Sequence, residues 1–83
     1  MILVAKNITL TANFVAAGAG IANFSFVAAA DNSGVAYIRG DDGSASVPIP
    51  KGVPFRMDSV NLATVFFKGT ASDTVTLIGY KHP

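Results

Sequence analysis

The sequence predicts an all-β protein, a compact antiparallel β-sandwich or small jelly-roll-like barrel of about six to eight short strands. The 83-residue chain lacks Glu, Gln and Trp and is rich in Ala, Val, Gly, Ile, Phe, Thr and Ser. The missing residues include common surface helix formers, whereas Val, Ile, Thr and Phe favour strands. Turn-forming residues recur about every 8 to 12 positions, as in small all-β domains. We therefore expect residues 1–83 to form a single β-sandwich domain.

The first elements are predicted from alternation along the N-terminal part. Residues 2–11 alternate polar and apolar side chains in their second half, with Lys6 as the one misfit on the apolar side. After a joint of small residues, a second run over 22–28 places Phe24 and Phe26 on the same face. Both segments are therefore expected to be strands.

The middle of the chain is predicted to contain two turns and an edge strand. Residues 31–34 combine Asp, Asn, Ser and Gly, which favour turns, and an alternating strand follows over 35–39. The cluster at 40–43 predicts a second turn, with a hairpin into 45–49. Three prolines remove backbone donors here and restrict this stretch to a sheet edge or an extended crossing: Pro48, Pro50 and Pro54.

A short strand and one helical turn are expected next. Residues 55–57 have strand composition, and residues 58–62 are predicted to form a single helical turn. Asp58 or Ser59 is the expected N-cap, because both residue types accept hydrogen bonds from helix N-termini.

The last two strand runs, 64–68 and 74–80, are the clearest in the sequence. Residues 69–73 between them have the length of a hairpin turn, so we predict a C-terminal β-hairpin. Phe66 must face away from Phe67, because successive side chains in a strand point to opposite sides. The predicted core of this hairpin consists of Val65, Phe67, Val75 and Leu77.

The composition predicts self-association. Hydrophobic residues make up 51% of the chain and charged residues only 13%. A domain of this size buries only about 60% of the surface its unfolded chain exposes, so apolar area must remain uncovered in a monomer. The expected contact residues, whose outward direction could be reversed, are Phe24, Phe26, Phe66, Ile78 and Tyr80.

The residue types that carry chemistry are scarce. The chain has no Cys, and its one His, His82, is the penultimate residue. Asp41 and Asp42 lie together between glycines, but a calcium loop needs alternating ligands and a bidentate Glu, which is absent. Gly18 and Gly20 lack the third glycine of a dinucleotide fingerprint. We therefore predict a non-enzymatic protein with no catalytic residues, no cofactor and no metal.

Nucleic-acid and membrane binding are both disfavoured. The six basic residues are spread singly along the chain and form no basic stripe. The apolar run over residues 14–30 is interrupted by Asn, Ser and Gly and is shorter than the about 20 residues of a membrane-spanning helix. It also has some features of an export signal. We interpret it as a pair of buried strands.

The C-terminal part resembles a recurrent pattern. The string PIPKGVPFRMDSVNLATVFFKGTASDTVTLIGY, residues 48–80, is similar to small structural proteins of tailed bacteriophage virions. It combines a Pro-rich approach, a Pro-Phe pair, a VNLA turn, an aromatic strand ending in Lys-Gly-Thr and a Val-Thr-Leu strand ending in Gly-Tyr. The resemblance implies a virion component, either a capsid decoration (cement) protein or a part of the head-tail or fibre apparatus, built as a symmetric homo-oligomer without catalytic residues.

These observations predict a decoration protein that stabilises a phage head as a homotrimer, bound to the major capsid protein or another virion protein. Its expected location is the virion, after assembly in the host cytoplasm. One alternative is a receptor- or glycan-binding module of a tail tip or fibre, with a site formed by Asn32, Tyr37, Asp41 and Asp42. A second is a membrane-inserted virion or holin-like peptide that uses residues 14–30.

Overall fold

The chain folds into two antiparallel four-stranded sheets around one apolar core. A computed structural model describes residues 2–40 and 45–82. Within these ranges the chain forms eight strands and one 3₁₀ turn, which confirms the predicted all-β class. The elements are β1 (Ile2–Thr9), β2 (Val15–Ala16), β3 (Ile21–Ala28), β4 (Ala36–Gly40), β5 (Val47–Ile49), β6 (Phe55–Asn61), the 3₁₀ turn (Leu62–Thr64), β7 (Val65–Lys68) and β8 (Thr74–Lys81).

The strand order is that of a jelly roll. Sheet A has the order β1-β8-β3-β6 and sheet B the order β2-β7-β4-β5. The pairs β1·β8, β2·β7, β3·β6 and β4·β5 are those of one long hairpin folded at its centre. Rolling up that hairpin adds the pairs β3·β8 and β4·β7, which complete the two sheets. The jelly-roll form of the sequence prediction therefore describes this protein.

The predicted C-terminal hairpin is wrong. β7 belongs to sheet B and β8 to sheet A, so residues 69–73 carry the chain from one sheet to the other. The backbone N–H of Gly69 donates to Thr11 O, and that of Leu10 donates to Asp73 O, which fixes the crossing against the N-terminal segment. The partners of β8 are β1 and β3, far away in sequence. By contrast, β4 and β5 form the predicted hairpin, although residues 41–43 of its predicted turn, 40–43, lie outside the described residues.

The predicted helical turn over residues 58–62 is also wrong. β6 continues through this segment to Asn61, and the 3₁₀ turn begins only at Leu62. Its N-cap is Asn61, whose side chain accepts the N–H of Ala63 at 3.0 Å. Asp58 and Ser59 instead lie where the register of β3 and β6 shifts. Ser59 adopts a φ of 54°, and its N–H donates to Asn23 Oδ1 at 2.7 Å.

The core lies between the two sheets. The predicted C-terminal core residues are all buried, which confirms that part of the prediction: Val65, Phe67, Val75 and Leu77. The ring of Phe26 stacks on Phe55 at 5.5 Å between centroids and meets the edge of Phe67 at 5.3 Å. Each fully buried side chain of this size stabilises the fold by about 1.5–3 kcal/mol. Residues from both sheets therefore form one contiguous core.

The apolar run over residues 14–30 forms β2 and β3 rather than a helix. β3 buries alternate side chains, whereas both residues of β2 are exposed, so only one of the two expected strands is buried. No helix within residues 2–40 and 45–82 is long and apolar enough to cross a membrane.

Buried polar side chains link two of the segments in which the chain passes from one sheet to the other, the one after β3 and the one after β7. The carboxylate of Asp73 accepts the N–H groups of Ser33 and Gly34, each at 2.9 Å, and the Ser33 hydroxyl at 3.1 Å. The side chain of Asn32 donates to the backbone carbonyl of Thr74 and accepts its N–H. The expected turn at residues 31–34 is thus confirmed, and it is fastened to the chain just before β8.

The Asp73 carboxylate makes the stability of this corner depend on pH. The backbone hydrogen bonds from Ser33 and Gly34 lower the pKa of Asp73 below its ordinary value of 3.8. A carboxyl with a depressed folded-state pKa stabilises the protein at pH values above its unfolded pKa, and this contribution is lost as the pH falls through the folded value. We therefore expect the urea concentration at the unfolding midpoint to decrease as the pH is lowered through that acidic range.

The variant Asp73→Asn provides the comparison for the pH dependence. It keeps the size of the side chain but removes the titrating charge. Its unfolding midpoint should be lower than that of the wild type at neutral pH and should fall less steeply below the ordinary carboxyl pKa. Parallel curves for the two proteins would contradict the assignment to Asp73.

Candidate interaction surfaces

Two of the predicted contact residues belong to the core. Phe24 is 1% exposed and Phe26 is 3% exposed, so neither is available to a partner and this part of the prediction is wrong. Their shared face was identified correctly, but β3 is an interior strand of sheet A and turns that face towards sheet B. Alternation alone indicates which residues share a face and leaves the direction of that face open.

Two other predicted contact residues lie on the outer face of sheet A. β8 directs Val75 and Leu77 inward, and Ile78 and Tyr80 point outward, each 53% exposed. Leu3 on β1 lies directly opposite Tyr80 and is 64% exposed. We call Leu3, Ile78 and Tyr80 the apolar patch. Leu3 was not among the predicted contact residues, although it lies on the same side of β1 as the outward Asn7 and Thr9.

A shallow groove runs beside the apolar patch. Its volume is about 240 Å³, and it is lined by Leu3, Asn23, Phe24, Ser25, Arg56, Ile78, Gly79 and Tyr80. Gly79 lets β8 approach β3 closely, since a Cβ at this position would overlap the carbonyl oxygen of Asn23. Arg56 and Asp58 form an exposed ion pair on β6, with Nε and Oδ1 3.1 Å apart. The groove therefore combines apolar walls with a charged rim.

A second apolar groove lies where the edges of the two sheets meet at β5 and β6. We call it the end groove. Its volume is about 300 Å³, and it is lined by Phe26, Ile38, Val47, Pro48, Ile49, Phe55, Arg56 and Met57. Val47 is 58% exposed and Phe55 39% exposed at its mouth. Exposed apolar side chains next to a concave surface are typical of sites that bind another molecule.

Each sheet edge carries a feature that opposes pairing with another strand. β5 contains Pro48, as expected for an edge, β6 has an irregular register, and β2 is only two residues long. β1 pairs regularly over eight residues, but Lys6 lies on its inward side, where its Nζ approaches Gly18. The misfit in the sequence pattern is thus an inward-facing edge lysine, a known protection against edge-to-edge association.

The fifth predicted contact residue, Phe66, lies on the outer face of sheet B with four other side chains. Arg39 Cζ lies 4.3 Å from the ring centroid of Phe14 and 5.5 Å from that of Phe66. Lys68 Nζ lies 5.0 Å from the centroid of Phe14 and 5.7 Å from that of Tyr37. We call these five residues the cation-aromatic cluster. All five are half-buried, and Phe66 is separated from the apolar patch by the thickness of the sandwich.

The structure corrects the view that the basic residues are isolated. Arg39 and Lys68 are distant in sequence, but the pairing of β4 with β7 brings them to one face. The sequence did contain a signal for this cluster, because an aromatic residue precedes a basic one by two positions in each strand. Tyr37 precedes Arg39 and Phe66 precedes Lys68, so each pair lies on one side of its strand.

His82 occupies a defined position at the end of β8. Its backbone N–H donates to Ile21 O at 2.8 Å, and its Nε2 lies 3.2 Å from Asn23 Oδ1. The same oxygen accepts the N–H of Ser59. Within the described residues, His82 and Ser59 thus share an acceptor and make no hydrogen bond to each other of the kind that activates a serine nucleophile.

The residues predicted for a glycan site have different roles. Asn32 is 6% exposed, and both ends of its side-chain amide are bonded to the backbone of Thr74. Tyr37 belongs to the cation-aromatic cluster. Asp41 and Asp42 lie outside the described residues. Asn32 is therefore a structural residue in this fold.

Comparisons with known proteins gave no match. No family model matches the chain, and searches of curated proteins and of solved structures found none that is similar.

Proposed function

We propose that the protein is a non-enzymatic structural subunit that assembles into a homotrimer through its exposed apolar surfaces. The observation that carries this proposal is the apolar patch, where Leu3, Ile78 and Tyr80 lie on adjoining strands and each is more than half exposed. Because only 13% of the residues are charged, few charged side chains are available to cover such a patch in a monomer. Burial against another copy removes this apolar area from water.

The protected strand edges favour association through faces and grooves. A closed trimer requires a heterologous contact, in which one surface of each copy meets a different surface of the next. The apolar patch and the end groove are two such surfaces, and both lie beside Arg56 of β6. We therefore place the apolar patch of one copy against the end groove of its neighbour.

Tyr80 and Phe55 are the expected anchors of this contact. Aromatic side chains are enriched among the residues that dominate binding energy, since they bury a large area with few rotatable bonds. A stable interface buries about 800 Å² per partner, so the contact must extend beyond the three residues of the patch. The exposed Val47 at the mouth of the end groove is positioned to contribute.

A virion provides the setting that best suits such a subunit. Residues 48–80 resemble small structural proteins of phage virions, and jelly rolls occur among viral capsid domains. The fold alone does not determine function, so this assignment depends on the resemblance and the exposed surfaces together. As a decoration protein, a trimer would contact several copies of the major capsid protein, and the combined contacts would raise its avidity for the head.

Mass and sedimentation test the proposal. Light scattering on the purified protein should give the mass of a trimer over a range of concentrations. The protein should also co-sediment with phage heads that lack it and should stabilise them against heat. A monomer at high concentration that ignores such heads would refute the proposal, and binding to a glycan array without binding to heads would favour the receptor-binding alternative.

A further inference from the structure

The cation-aromatic cluster is a second surface, distinct from the apolar patch and the end groove. Arg39 and Lys68 each lie within about 5 Å of the centroid of Phe14. Their charges are therefore closer together than the Debye length of about 10 Å at 0.1 M salt, so each raises the local positive potential at the other. The outer face of sheet B thus concentrates two of the six basic residues of a chain whose net charge is only +1.

These two charges are not balanced by the described part of the molecule. No described carboxylate lies on β2, β4, β5 or β7. Within residues 2–40 and 45–82, the ion pair of Arg56 and Asp58 is the only one. Arg39 Nε is buried and has no hydrogen-bond partner among the described residues. The described residues therefore leave both cations without a counter-charge.

We propose that the outer face of sheet B binds an acidic segment of a partner protein, whose side-chain carboxylates are bound by Arg39 and Lys68. Arginine presents planar N–H groups that match a carboxylate, and the lysine ammonium adds a second point of attachment. This inference goes beyond self-association and does not depend on it, because no residue of the cation-aromatic cluster lines the apolar patch, the groove beside it or the end groove.

The aromatic rings restrain the side chains of Arg39 and Lys68 before a carboxylate binds. The Arg39 guanidinium lies between the rings of Phe14 and Phe66, and Lys68 lies between Phe14 and Tyr37. Contact with a ring face restrains a long flexible side chain and removes part of its hydration. Less conformational freedom then remains to be lost when the carboxylate binds, which strengthens binding.

The same geometry disfavours a single-stranded nucleic acid as the ligand. Such ligands bind by stacking bases on exposed ring faces along a basic groove. Here all three rings are half-buried and have a cation over them, and only two positive charges are present. Carboxylates need no free ring face, so they suit this surface better.

Binding to short poly-L-glutamate tests the proposal. Fluorescence anisotropy of the labelled peptide should show binding by the wild-type protein that weakens as salt is added. The double variant Arg39→Gln, Lys68→Gln should lose at least about tenfold in affinity. The matched control Lys6→Gln, Lys81→Gln removes two charges carried by sheet A and should bind as the wild type does.

Two further measurements keep the result interpretable if the double variant folds poorly. In the wild-type protein, the side-chain N–H resonances of Arg39 should shift as poly-L-glutamate is added, because a carboxylate then lies against the guanidinium. The single variant Arg39→Lys keeps the charge but loses the planar guanidinium, and it should bind more weakly than the wild type. Equal losses in the control variant, shifts confined to sheet A, or tighter binding of oligo-dT than of the peptide would each overturn the proposal.

Discussion

If the protein forms the proposed homotrimer, Ile78→Asp should convert it into a folded monomer. Ile78 is 53% exposed on the outer face of sheet A, so a carboxylate at this position remains hydrated in the isolated subunit. In the assembled state the same carboxylate would be buried against the mostly apolar end groove, whose Arg56 is already paired with Asp58, and this burial costs several kcal/mol per interface. Light scattering should give the monomer mass, and circular dichroism should give the wild-type spectrum.

The variant Val35→Asp is the control for this experiment. Val35 is 48% exposed, lies between β3 and β4, and lines neither the apolar patch nor the end groove. Its replacement removes an exposed apolar side chain and adds the same charge, so the trimer should persist. Loss of the trimer in both variants would mean that added charge, and not position, dissociates it.

A mixing experiment distinguishes the heterologous contact from a symmetric one. Val47→Asp damages the end groove as Ile78→Asp damages the apolar patch, and each variant alone should be monomeric. An equimolar mixture should form a heterodimer, because one variant retains an intact patch and the other an intact groove. If Val47→Asp alone remains oligomeric, the contact does not use the end groove.

Gly79→Ala should strongly destabilise the fold, although it adds only one methyl group. Gly79 is buried in β8, between β1 and β3. A Cβ at this position would overlap the carbonyl oxygen of Asn23 and would lie 2.5 Å from Phe24 Cα. Both neighbours are backbone atoms, so they cannot move aside unless β3 and β8 separate. Overpacking of a core costs about 1–3 kcal/mol and occasionally more, and we expect a loss of at least about 3 kcal/mol at this position.

Gly52→Ala separates this steric effect from the general cost of replacing glycine. Gly52 has a φ of 73°, but the nearest atom to a new Cβ is Ala30 Cβ, at an ordinary contact distance of 3.8 Å. Its replacement should cost about 1–2 kcal/mol, because an L-residue is strained in a left-handed conformation. Urea unfolding of both variants measures the difference, and equal losses would contradict the close approach at Gly79.

Local patterns in the sequence predicted the strands well but not their long-range partners. Alternation correctly separated Val75 and Leu77 from Ile78 and Tyr80, because which residues share a face depends only on the two-residue period. The hairpin of β4 and β5 was predictable for the same reason, since its partners are neighbours in sequence. The strand runs at 64–68 and 74–80 have the local signals of a hairpin, but β7 pairs with β2 and β4 and β8 pairs with β1 and β3, so they lie in different sheets.

The candidate sites were less predictable because they combine residues from separate strands. Phe24 and Phe26 were assigned to a contact since nothing local distinguishes an inward apolar face from an outward one. Leu3 became part of the apolar patch through its pairing with Tyr80, and Arg39 met Phe66 through the pairing of β4 with β7. Such juxtapositions follow from sheet order, which a single sequence does not specify.

The pairing of β1 with β8 has a consequence for biosynthesis. Ile2 lies opposite Lys81, and β8 is the only strand that pairs with β1 among the described elements. On the ribosome β1 must therefore wait until residues 74–81 have emerged before it can pair with β8. Folding of this topology is expected to be slow, because closing such a long loop loses entropy before any contact compensates. During that delay the apolar N-terminal segment is unpaired and can aggregate. The inward Lys6 therefore protects the nascent polypeptide as well as the folded sheet.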